Sequence, residues 1–160
     1  MMAWTTRGNI PLLAPVLLAT DATKSCLEST VKQHAHWLVR LPFAATFIGH
    51  GAGKIIMPAA SAGMLGLPAW LLVVVGLAEV LAGLGALLGG LTHPLANLAT
   101  RLSGLAAAPV LIGAIAMFHW PRWSFVASES HPMGGMEFQL LLLGVALYFM
   151  LGGAAREASV

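Results

Sequence analysis

The stretch 68–91, PAWLLVVVGLAEVLAGLGALLGGL, contains one ionisable residue, Glu79, in 24 positions. At 1.5 Å per residue an α-helix of this length exceeds a hydrocarbon core of about 30 Å. In lipid every backbone polar group must be satisfied within the segment, so a helix rather than an open strand is expected. Its glycines are patterned. Gly76, Gly83, Ala86 and Gly90 share a stripe with Glu79, and small residues at that spacing let two helix backbones approach closely. The stripe is therefore expected to be a helix–helix seam, with Glu79 pointing into a bundle.

Working outward, three more apolar stretches stand out, at about residues 37–57, 97–119 and 134–153. The whole chain of 160 residues is 58% hydrophobic and 9% charged, with a mean hydropathy of +0.84. A soluble domain carries roughly 25% charged residues, so a water-facing surface cannot be built from this composition. The breaks are clear: a Gly/Ala/Ser-rich segment from Pro58 to Pro68 that reads as a loop, a turn at Thr92-His93-Pro94, and a polar loop from Trp120 to Pro132. Trp37, Trp70, Trp120 and Trp123 fall near the span ends, where amphipathic rings prefer the headgroup level. The expected fold is an all-α integral membrane bundle of four helices, with a short interfacial helix before it.

Charge sets the expected orientation. Arg7, Lys24, Lys32, Arg40, Arg101 and Arg156 fall on one side, Lys54 and Arg122 on the other, so the positive-inside rule puts both termini in the cytoplasm. The net charge of +2 and scattered basic residues give no reason to expect nucleic acid. Cys26 is the single cysteine; no CxxC exists, which excludes a thiol-based membrane oxidoreductase.

Residues 1–36 form a separate arm. Arg7 and the apolar run 10–19 resemble the start of a signal peptide. Two prolines interrupt the run and no small-x-small cleavage site follows, so retention is expected. Ser25-x-x-Glu28 reads as a capping box opening an amphipathic helix to about His36. That helix would lie on the membrane surface or dock onto a partner. Residues 154–160 would form a cytoplasmic tail.

Ionisable residues inside a membrane are costly and usually face the protein interior. Here they are Arg40, His50, Lys54, Glu79, Arg101, His119 and Glu137. His50 and Lys54 are four apart on one face of the first span. Arg101 and His119 are five whole turns apart in the third and share a stripe with Gly104, Ala108 and Ile115. Glu137 shares a face with Gly144 and Tyr148. Counting depth groups His50, Lys54, His119 and Glu137, with His131 of the adjoining loop, in an outer layer of opposite charges and imidazoles. Arg40 and Arg101 lie near the inner surface. Glu79 lies about 16 Å in, with no Lys or Arg expected level with it, which leaves it protonated or paired with His50. Lys54 is expected to pair with Glu137, and Arg40 with a cytoplasmic partner.

This ordered set resembles the DoxX/DoxD-like family of small four-helix bacterial and archaeal membrane proteins. The likeness rests on Trp-Leu-Val-Arg40, Gly51-x-x-Lys54, Leu-Pro68, Gly76-x-x-Glu79 with Gly83, Gly89-Gly90, Arg101, His119, and Glu137 with its Leu-rich run. It extends over about residues 37–153. Named members of the family are subunits of quinone-linked respiratory or sulfur-oxidising systems. The resemblance therefore implies a membrane subunit of a quinone-linked redox system in the cytoplasmic membrane, with quinone or quinol between its helices.

Such a site needs a carboxylate or imidazole able to take a proton and an apolar slot open to lipid. Glu79, His50 and His119 could supply the acceptors, and Lys54 could hold a developing anion. No paired-His haem pattern and no cysteine pair is present, so electrons would pass through partner subunits, and no catalysis is assigned to this chain alone. The alternative is a non-catalytic accessory subunit packed against a larger membrane complex through its small-residue faces and its arm. A zinc or copper site from His50, His119, His131 and Glu137 is a third reading, but these residues show no diagnostic spacing, and neither a metal site nor a covalent cofactor is expected. A transporter would show inverted repeats of broken helices, which are not evident.

Overall fold

The computed structural model describes residues 23–24, 27–31 and 33–154. The apolar run 10–19, Ser25 of the expected capping box, Cys26, Lys32 and the tail with Arg156 lie outside them. The described residues fall into two compact units, divided between His36 and Trp37. In the first, residues 27–31 are helical and the His34 ring bonds the Thr30 carbonyl through Nδ1 at 2.8 Å.

The second unit is all-helical: α1 (Trp37–Ile56), α2 (Pro58–Leu65), α3 (Ala69–Leu88), α4 (Ala96–Ala114), a π-helical segment (Ile115–His119) and α5 (Glu137–Gly152). α1 packs along α3, α3 along α4, and α4 along α5, while α1 and α5 touch only lightly. Two helices, Ala69–Leu88 and Ala96–His119, are long and apolar enough to cross a membrane, and Glu137–Gly152 is apolar but shorter.

The segment from Pro58 to Pro68 is not the expected loop. Pro58 opens α2 at a position where its missing N–H costs nothing, and Gly66 (φ 65°) closes it with its N–H on the Ala62 carbonyl. No residue of α2 is buried. Its low-polarity Ala-rich sequence forms the helix on local propensity.

The interior is made of small side chains and the exterior of large ones. α3 buries Leu72, Gly76, Glu79, Ala82, Gly83 and Ala86, the seam expected from the glycine stripe. α4 buries Thr100, Ser103, Gly104, Ala107 and Ala108 among others. Meanwhile Leu77, Leu81, Leu84 and Leu88 of α3 and Leu98, Leu102 and Leu105 of α4 are exposed. An outer surface of this kind exceeds any apolar patch that a soluble monomer tolerates. A methyl group on Gly51 would lie 2.5 Å from the Gly76 carbonyl oxygen, and one on Gly76 would lie 2.8 Å from the Gly51 oxygen. The α1 and α3 backbones are thus in contact there. Phe43, Phe47 and Phe149 fill the remaining space, with the Phe43 and Phe149 rings edge to face at 5.1 Å.

Candidate functional site

α1 turns Arg40, Phe43, Ala44, Phe47 and Gly51 inward, and Lys54 continues that stripe three residues on. Its Nζ lies 2.7 and 2.9 Å from the two carboxylate oxygens of Glu79, and the pair is largely buried. Glu79 is thus neither alone nor paired with His50, and Lys54 does not pair with Glu137. Level counting missed this because the end of α1 is sunk relative to the start of α3. A methyl on Gly76 would meet Lys54 Cβ at 3.1 Å, although Gly76 lies roughly 10 Å along α3. His50 lies at the edge of the stripe and is exposed; its carbonyl, not its ring, is 3.4 Å from Lys54 Nζ.

Arg40 has no carboxylate partner among the described residues. It is 3% exposed; its Nη1 donates to the Ala86 carbonyl at 2.9 Å and to Thr100 Oγ1 at 3.1 Å. The guanidinium carbon lies 4.9 Å from the Phe149 ring centroid. Because Ala86 is in the last turn of α3, the cation meets the negative end of that helix, which replaces the cytoplasmic partner expected from sequence. Arg101 is exposed, and its Nη1 lies 3.4 Å from the Met150 carbonyl near the end of α5. Asn97 adds a bond there, its Oδ1 accepting the Ala154 N–H at 3.2 Å. The start of α4 therefore caps the end of α5.

His119 closes the π-helical segment, a distortion found often at functional positions. It is 7% exposed. Its Nδ1 lies 3.0 Å from the Gly134 carbonyl and its Nε2 lies 3.0 Å from Gln139 Nε2. A ring with Nδ1–H donating to Gly134 and Nε2 accepting from the amide satisfies both contacts. Gly134 adopts φ 78°, and a side chain there would run into the Phe125 carbonyl, so only glycine suits the turn that presents this acceptor. Gln139 Oε1 is buried with no partner among the described residues. Nearby, Ile112, Ile115, Ala116, Trp120, Leu140 and Leu143 line an open apolar groove of about 460 Å³ between the end of α4 and the start of α5.

The outer layer expected from sequence is not one pocket. Glu137 is half-buried and lines a different groove, with Trp123, Phe125 and Phe138. His131 bonds the Trp120 carbonyl through Nε2 at 3.3 Å. His50, His119, His131 and Glu137 do not assemble a metal-binding group among the described residues. Gln139, the residue that completes the surroundings of His119, was not singled out in the sequence. Its signal was present: it is the one amide inside the otherwise apolar run 138–153.

The DoxX family model matches residues 35–120. The chain belongs to the DoxX family. The match takes in Arg40, Lys54, Glu79, Arg101 and His119, and ends before α5, so the expected extent to residue 153 exceeds what the family model covers. No curated protein and no solved structure matches this DoxX chain. Family membership together with the apolar helices marks it as a membrane protein.

Proposed function

We propose that this DoxX-family protein is a four-span bundle in the cytoplasmic membrane of a bacterium or archaeon, serving as a membrane subunit of a quinone-linked redox system. The spans are α1, α3, α4 with its π-helical segment, and α5. An even number of spans returns both termini to one side, and the placement of basic residues favours the cytoplasm. α5 covers about 24 Å, so it crosses with local thinning of the bilayer or with help from its flanks.

The observation that carries the quinone reading is the bonded pair His119 and Gln139, each next in sequence to a residue, Trp120 or Leu140, that lines an open apolar groove. Gln139 Oε1 is a buried acceptor with no donor among the described residues, a state that ordinarily costs about 1–3 kcal/mol. A quinol hydroxyl would donate to it. His119 Nε2, which accepts from the Gln139 amide in this structure, would take the proton once that amide turns toward the quinol, and its Nδ1 bond to Gly134 fixes the ring for that role. The groove would take the ring and the first part of the tail. Glu79 and His50 leave the site: both oxygens of Glu79 are held by Lys54, and His50 faces outward.

Titration of the purified protein with a short-chain quinol tests this. His119→Leu and Gln139→Leu should each weaken binding about tenfold, the equivalent of one hydrogen bond of about 1.4 kcal/mol. Replacing Glu79 and Lys54 together should leave it unchanged. Binding indifferent to both site variants would remove the quinone reading.

A second reading, a non-catalytic accessory subunit, is favoured by the use made of the other charges. Arg40, Lys54, Glu79 and Arg101 are all engaged in helix–helix contacts. On this reading the partner subunits hold the redox chemistry, and loss of residues 1–36 should release the protein from its complex.

A further inference from the structure

The second groove, of about 440 Å³, is lined by Trp123, Phe125, Phe138, Leu140 and Leu141 together with Glu137. Three aromatic rings and one carboxylate are the chemistry that recognises an organic ammonium: the ring faces attract the cation and the carboxylate neutralises it. The Glu137 carboxylate forms no ion pair or hydrogen bond with the described residues. A carboxylate in the first turn also steadies its own helix, but that role requires no aromatic neighbours. The rings are accessible to a ligand: Trp123 is 64% and Phe125 71% exposed.

A second charge stands close by. The Met136 N–H, one residue before Glu137, donates to the Arg122 carbonyl at 2.9 Å. Arg122 and Glu137 are thus held near each other along the backbone, yet they form no salt bridge, and Arg122 Nε is buried with no partner among the described residues. Two opposite charges left unpaired at neighbouring positions match a ligand carrying both signs.

We propose that the loop 120–136 and the start of α5 bind the headgroup of a zwitterionic phospholipid, with its ammonium between Glu137 and the rings of Trp123, Phe125 and Phe138 and its phosphate toward Arg122. The occupant is a lipid because the rings that line the groove are exposed at the end of a span, the level at which tryptophan meets headgroups. The two grooves meet at Leu140, which lines both, but Glu137, Trp123, Phe125 and Phe138 line only the second, so the proposal does not depend on quinone binding.

The test uses the full chain, delipidated in mild detergent and incubated with equal amounts of phosphatidylethanolamine and phosphatidylglycerol of the same acyl chains. Retained lipid is weighed by native mass spectrometry. The expected result is retention of phosphatidylethanolamine over phosphatidylglycerol by roughly three- to tenfold, abolished by Glu137→Gln and reduced by Trp123→Leu. Equal retention of the two lipids, preference for the anionic one, or an unchanged preference in Glu137→Gln overturns the proposal. Should Glu137→Gln fail to fold, Phe138→Leu with Trp123→Leu reads the same preference, and its persistence in that double variant overturns the proposal equally.

Discussion

Lys54 and Glu79 form a bidentate ion pair, Nζ to both carboxylate oxygens at 2.7 and 2.9 Å, one helical turn from the point where the Gly51 and Gly76 backbones touch. The close approach brings the two charges within reach, and the ion pair lies between α1 and α3. Removing one partner leaves an unpaired buried charge, which costs about 3–5 kcal/mol, whereas replacing both by apolar residues is often neutral. Glu79→Leu and Lys54→Met should each destabilise the folded protein by that order, and the double variant should recover most of it. Denaturation in mixed micelles followed by circular dichroism measures all three.

Gly104 and Gly144 make a matched comparison. A methyl at Gly104 would run into the Ala146 carbonyl and the Met150 N–H of α5, while nothing lies within 4 Å of one at Gly144. Gly104→Ala should therefore cost about 1–3 kcal/mol through overpacking. Gly144→Ala should be neutral or stabilising by about 0.5–1 kcal/mol, because alanine loses less backbone freedom in a helix. Thermal melts of the two variants in the same detergent give the comparison.

Arg40 ties α1 to the end of α3, to Thr100 of α4 and to the Phe149 ring of α5. Lysine carries the charge but neither the fork nor the planar stacking surface. Arg40→Lys should lose about 1–3 kcal/mol, and Thr100→Val should lose less, since Ala86 remains as an acceptor. Arg40→Lys as stable as wild type would show that charge alone is used.

The four-span reading fixes sides. In a Cys26→Ser background, a cysteine at Ser128 should react with a membrane-impermeant maleimide added to intact cells, and one at Ala154 should react only after lysis. Labelling of both, or of neither, before lysis contradicts an even number of spans with both ends inside.

The helical class and the seam on α3 were legible because both rest on periodicity: Gly76, Gly83 and Ala86 recur at helical spacing and are buried with Glu79. The partner of Glu79 was not legible. Depth counted along a chain assumes that spans start level, and α2 breaks that assumption by taking up the segment from Pro58 to Leu65. The role of Arg40 was hidden for another reason. A guanidinium can be satisfied by carbonyls at a helix end, and sequence does not show which helix end lies next to it. For the site, His119 was visible as a lone imidazole in an apolar run, but Gln139 gained meaning only when the turn at Gly134 brought the two runs together.

The central claim is that quinone meets this protein between α4 and α5. A photoreactive short-chain quinone, cross-linked to the purified protein and mapped by peptide sequencing, tests it most directly. Adducts should fall within residues 112–120 and 139–143, and His119→Leu should remove most of them. Adducts spread evenly over the exposed leucines of α3 and α4, or concentrated at Lys54 and Glu79, would contradict it.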